Sequence, residues 1–178
     1  MERKLFLGSN TPDGFIGYFD KVITMYGLKK LYILKGGSGL GKSTFIQKFA
    51  EFFKAQNPER NITYVYCSAD PKSLDGAIIE DIGVGIIDGT FPHITDPKFP
   101  GMVDQIVDLG KYIDPTKIKV SREELEKLQD EKSSHFKTAY QHLNNARKVH
   151  MKIESVYKGA VDFDSINELI SKVCHEAI

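Results

Sequence analysis

Apolar residues follow two rhythms along the chain. Up to about residue 114, short apolar runs alternate with turns; from 115 onward they recur every three or four positions. The first rhythm predicts an α/β unit and the second an all-helical one. Leu31-Tyr32-Ile33-Leu34, ending at Gly36-Gly37, has the length and flanks of a buried parallel strand. Ser43 to Gln56 carries Phe45, Ile46, Phe49, Ala50 and Phe53 at helical spacing, and Asn57-Pro58 ends it. Ile62 to Cys67, rich in β-branched and aromatic residues, predicts a second strand, and Val84 to Ile87 a third. Phe15 to Tyr26 is patterned as an amphipathic helix closed by Gly27, and residues 102–112 as a short helix.

The helical part opens at Ser121, with Glu124 three places on, the pairing of a capping box. Apolar or small residues then recur from Leu125 to Val156, with Ser133-Ser134 as a candidate break. A continuous helix from 121 to 158 would run about 55 Å at ~1.5 Å per residue. That length predicts a packing partner: a second helix, another domain or another copy of the chain. A last helix is expected from about Ser165 to Ala177, with Asp164 as its N-cap. The expected organisation is a nucleotide-binding α/β core over 1–114 and a helical extension over 115–178, forming one structural unit. Three strands are fewer than such a sheet needs, so the chain reads as one that completes itself by pairing or as part of something longer.

Composition narrows the function classes. Of 178 residues, 41% are hydrophobic and 27% charged, enough to bury a core. Lys plus Arg and Asp plus Glu both number 24, which argues against a coat for nucleic acid or for an anionic membrane. No apolar run reaches spanning length, and the N-terminus has no signal-peptide pattern. Two widely separated cysteines, Cys67 and Cys174, suit a reduced, cytoplasmic protein. The charge is nonetheless uneven: residues 117–158 hold 10 basic and 6 acidic side chains, and residues 159–178 hold 1 and 4. A solvated helix face explains the basic stretch, and docking of an acidic partner is the alternative.

Gly36-Gly37-Ser38-Gly39-Leu40-Gly41-Lys42-Ser43, followed by Thr44, fits G-x-x-x-x-G-K-[ST]. Placed between an apolar strand and an amphipathic helix, this pattern predicts a P-loop that wraps a polyphosphate in backbone N–H groups. Lys42 would supply a charge for the β and γ phosphates, and the Ser43 hydroxyl a ligand for Mg²⁺. Asp88, after the third strand, is the expected acidic partner of the metal. Asp70 is a rival as metal partner or base, with Asp75 and Asp81 weaker rivals. The loops 67–76 and 88–101 follow strand ends, where open α/β sheets bind ligands. His93 in the second is a candidate γ-phosphate sensor or proton carrier, against a purely structural role. Cys67 reads as a strand-end thiol, and His135, His142 and His150 as surface residues too far apart to share one metal. No Asn-Lys-x-Asp or LSGGQ-like signature is present, which favours ATP over GTP and argues against a transporter ATPase.

Together with GSNTPDGF (8–15), CSADPKSLDG (67–76), IIDGTFPHITDPKFPG (86–101) and IVDLGKYID (106–114), the loop GGSGLGKST (36–44) resembles a bacterial family. These are the tandem P-loop ATP-binding proteins of clostridia and bacilli, described as ATPase or nucleotide kinase-like. The resemblance implies a P-loop NTPase fold, a three-layer α/β/α with a parallel sheet, and ATP binding; it leaves the reaction open. Members carry two halves in tandem, and this chain looks like the first half with its connecting helices. A second half or another copy packed on 121–158 is the implied partner.

Three functions are therefore expected in order. The first is an Mg²⁺-dependent ATPase using Lys42, Ser43 and Asp88. The second is a small-molecule kinase, with Asp70 or His93 taking the acceptor's proton. The third is a non-catalytic ATP-gated interaction module. Arg3, Arg60, Arg122 and Arg147 all lie outside the motifs, so turnover in isolation should be weak.

Overall fold

The computed structural model describes residues 1–177. Its strands are β1 (Glu2–Leu5), β2 (Gly8–Thr11), β3 (Gly14–Gly17), β4 (Lys30–Lys35), β5 (Ile62–Tyr66), β6 (Leu74–Ile79), β7 (Val84–Asp88) and β8 (Asp104–Asp108). Its helices are α1 (Val22–Tyr26), α2 (Lys42–Gln56), α3 (Arg122–Lys158) and α4 (Phe163–Glu176). β2 and β3 form a separate antiparallel hairpin, and the other six strands make one sheet in the order β1-β5-β6-β7-β4-β8. Pairing is parallel for β1/β5, β7/β4 and β4/β8 and antiparallel on both sides of β6. The fold is mixed α/β with a mostly parallel sheet and a long C-terminal helix.

Alternation along the strands gives each sheet face its own core. Leu34, Ala77, Ile79 and Ile86 pack on Ile46 and Ala50 of α2. On the other face, Leu31, Ile33, Ile78 and Ile87 pack on Phe19, Val22 and Leu28. That second cover is the segment from Phe19 to Leu28, whose helix α1 has only five residues.

Several expectations are corrected. The sheet has six strands, not three, so the shortage that suggested an incomplete sheet disappears among the described residues. β6 occupies Leu74–Ile79, partly inside what reads as a loop, and it runs against its neighbours, so the sheet is not wholly parallel. Phe15 to Tyr26 is not one helix: β3 takes its start, a 3₁₀ turn spans Phe19–Lys21, and only Val22–Tyr26 is α-helical, closed by left-handed Gly27 as expected. The expected helix at 102–112 is β8 followed by a 3₁₀ turn over Leu109–Tyr112. β4 offers a free edge there, and buried Asp104 fixes the approach by accepting from the Lys98 and Phe99 N–H groups at 2.6 and 2.5 Å. α4 begins earlier than expected, with Asp162 and not Asp164 as its cap; Asp162 accepts from the Asp164 and Ser165 amides.

α3 is one unbroken helix of 37 residues, capped by Ser121, which accepts from Glu124 N–H. Ser133-Ser134 does not interrupt it. Phe136, Tyr140 and Asn144, spaced four apart, are its half-buried positions. They face the β2–β3 hairpin, where Tyr140 donates to Asn10 at 3.0 Å and Arg147 pairs with both carboxylate oxygens of Asp13. Among the described residues, no helix is long and apolar enough to cross a membrane.

Candidate functional site

The site forms at the carboxyl edge of β4 and β7. Parallel register sets Leu34 beside Asp88, so the end of β7 lies against the start of the loop that leaves β4. Gly89 follows, and its N–H donates to Leu34 O at 3.0 Å. A Cβ at Gly89 would stand 2.3 Å from Ile33 Cγ2, so the two strands meet this closely only with glycine there.

The loop from Gly36 to Gly41 turns the chain into α2. Gly41 is the N-cap in a left-handed conformation (φ 76°), and no side chain caps the helix. Among the described residues, no acceptor is paired with the amides of Gly39, Gly41, Lys42, Ser43 and Thr44. These unmet donors sit at the positive end of a 15-residue helix. Gly37, Ser38, Gly39, Gly41 and Thr44 are exposed, while Gly36, Leu40, Lys42 and Ser43 are partly buried.

Lys42 folds back over the loop. Its Nζ donates to Gly36 O and Gly37 O, both at 2.9 Å, and lies 3.6 Å from Asp88 Oδ2. Both side chains of that pair are 11% exposed. Lys42 occupies the loop's carbonyls and leaves its amides open. Asp88 Oδ1 is held by Thr90, whose N–H and hydroxyl donate at 2.9 and 2.6 Å. Ser43 Oγ accepts from the Leu74 N–H at 2.8 Å, tying α2 to the start of β6. That bond uses one lone pair and leaves the hydroxyl a second.

β6 delivers Asp75 to the same place because it runs opposite to β7. Asp75, Asp88 and His93 are all buried, and one ligand atom from each lies within 4.8 Å of the others. His93 Nε2 is 3.3 Å from Asp75 Oδ2. The imidazole packs on Phe19 in a tilted arrangement, with centroids 4.5 Å apart, and meets Phe15 edge-on. Lys35 pins the 88–101 loop onto the sheet through Gly89 O at 2.9 Å and Thr95 O at 2.8 Å. Burial pushes the Cys67 thiol above its ordinary range, and the Asp75 carboxylate adds to the effect.

The sequence-based candidates divide accordingly. Lys42, Ser43, Asp88 and His93 converge. Asp70 does not: it is exposed in the turn after β5, where its Oδ1 accepts from Lys72 N–H. Asp75, read only as a weaker rival, is the carboxylate that joins instead. Asp81 pairs with Arg60 away from the site. Lys35 and Thr90 carry no motif and emerge only from the fold. A further cavity of about 490 Å³ opens beside the loop, lined by Leu40, Phe45, Val107, Leu109, Tyr112 and Ile113. No family model matches the chain, and no curated protein or solved structure matches it either.

Proposed function

We propose that the chain is an Mg²⁺-dependent ATP-binding protein of the P-loop type, an ATPase whose turnover is weak in isolation. The observation that carries this reading is the set of amides left unpaired among the described residues, those of Gly39, Gly41, Lys42, Ser43 and Thr44, at the uncapped start of α2 with Lys42 and Asp88 beside it. Such a cup has the donors and the field to take a phosphate chain. Lys42 moves from the Gly36 and Gly37 carbonyls to the phosphates, a short swing of a flexible side chain. Ser43, through its free lone pair, and Asp88 fit as the residues that hold Mg²⁺, which supplies charge neutralisation on the phosphates. The apolar cavity of Leu40, Phe45, Leu109 and Tyr112 suits a nucleobase, since it offers stacking surface next to the phosphate cup.

Weak turnover follows from the arginines. Arg3, Arg60, Arg122 and Arg147 are engaged by Glu80, Asp81, Glu126 and Asp13 respectively, leaving none at the phosphate cup. The test is a thermal melt with and without Mg-ATP, paired with phosphate release. ATP should raise the melting temperature of the native chain and leave Lys42→Met unmoved. A native chain indifferent to ATP overturns the reading. Binding without any phosphate release would make it a nucleotide-gated module.

A further inference from the structure

Asp75, Asp88 and His93 reach one point from the start of β6, the end of β7 and the loop beyond. They are 6%, 8% and 7% exposed. Of the two buried carboxylates, Asp88 has the Lys42 ammonium at 3.6 Å and Asp75 pairs with no lysine or arginine among the described residues, and a buried charge lacking full compensation is costly. Asp75 accepts no backbone or hydroxyl donor among the described residues; its close partners are the His93 ring and the Cys67 thiol. His93 itself has Nε2 at Asp75, and its Nδ1 is buried with no hydrogen-bond partner among the described residues.

We propose that Asp75, Asp88 and His93 hold a first-row divalent transition ion of the Mn²⁺, Co²⁺ or Zn²⁺ kind. The ion is bound by the chain alone, with no nucleotide, so the inference does not rest on the ATP reading. Its charge balances the carboxylate that Lys42 leaves uncompensated. The imidazole decides the class, because Mg²⁺ and Ca²⁺ take oxygen donors whereas these ions accept nitrogen readily. Metal–ligand bonds of about 2.1 Å place tetrahedral donor atoms roughly 3.4 Å apart. His93 and Asp75 already stand at 3.3 Å, so the remaining closure is a side-chain movement of about an ångström. Phe19 and Phe15 hold the ring in place around that centre. Lys42 is the competing cation: it and the ion share Asp88, and removing it strengthens the site.

Co²⁺ titration of the nucleotide-free full chain, followed by its visible absorption, tests this. One equivalent should bind, and millimolar Mg²⁺ should not displace it. His93→Ala and Asp75→Asn should each weaken binding by about ten-fold or more. Lys42→Met should tighten it by about ten-fold, whereas the ATP reading has the same substitution abolish nucleotide binding. The opposite signs keep the two readings separable. Far-ultraviolet circular dichroism of each metal-free variant checks that it folds, and His93→Ala serves if Asp75→Asn does not. No saturable Co²⁺ band in the native chain, or unchanged affinity in His93→Ala, overturns the proposal; the latter would assign the cobalt to the exposed histidines of α3.

Discussion

Replacing Lys42 by methionine keeps the length and apolar stem of the side chain and removes its charge. In the native chain Nζ holds two carbonyls at 2.9 Å and stands 3.6 Å from Asp88 Oδ2. At an effective dielectric of ~20, a pair at that separation attracts by about 4–5 kcal/mol before desolvation is subtracted. Losing one partner of a buried pair costs about 3–5 kcal/mol, because the other charge stays behind. Asp88 keeps its two bonds from Thr90, which places the expected loss at the lower end, about 3 kcal/mol. For a chain of this size that lowers the melting temperature by roughly 6–12 °C. Urea denaturation of Lys42→Met, Asp88→Asn and the double variant measures the loss and its origin. The double variant should be clearly more stable than the sum of the two single losses, since the stranded charge is gone. If Lys42→Met unfolds at the native urea concentration, or if the losses simply add, the pair does not bear on stability and this account of the site fails.

Further outcomes follow from other contacts. Gly89→Ala forces a Cβ to within 2.3 Å of Ile33 Cγ2 and should cost about 1–3 kcal/mol, read by denaturant melts; a neutral effect would mean that β4 and β7 do not meet this closely. Cys174 is exposed, while burial raises the Cys67 thiol, so a disulfide reagent at pH 8 should label Cys174 rapidly and Cys67 only in more alkaline solution or on unfolding. The Arg147 guanidinium holds the Asp13 carboxyl below its ordinary value. The contact between α3 and the hairpin should therefore persist above pH ~4 and weaken as pH falls through the lowered folded value. Spin labels on β2 and α3 would report a broadened distance there, and no change down to pH 2 would refute the link. Tyr140→Phe removes the hydroxyl that reaches Asn10 and should raise proteolysis within α3 without altering the melt of the sheet.

Local pattern determined much of this protein. The apolar run before Gly36, the glycines of the loop, Lys42 and the apolar stripe of α2 are contiguous in sequence, and each specifies its own geometry with little help. The strand from Val84 and the capped start of α3 at Ser121 are legible for the same reason. Tertiary structure decided what depends on a neighbour. DQIVD becomes β8 because β4 has a free edge and Asp104 gathers two amides, although its own spacing is equally helical. LDGAII becomes a buried central strand between β5 and β7 despite its aspartate and glycine. That antiparallel insertion carries Asp75 to Asp88 and His93, a meeting of residues 13 and 18 positions apart that no spacing along the chain encodes. Short-range sequence sets φ, ψ and amphipathicity; which carboxylate faces which cation is fixed only when strands find their partners.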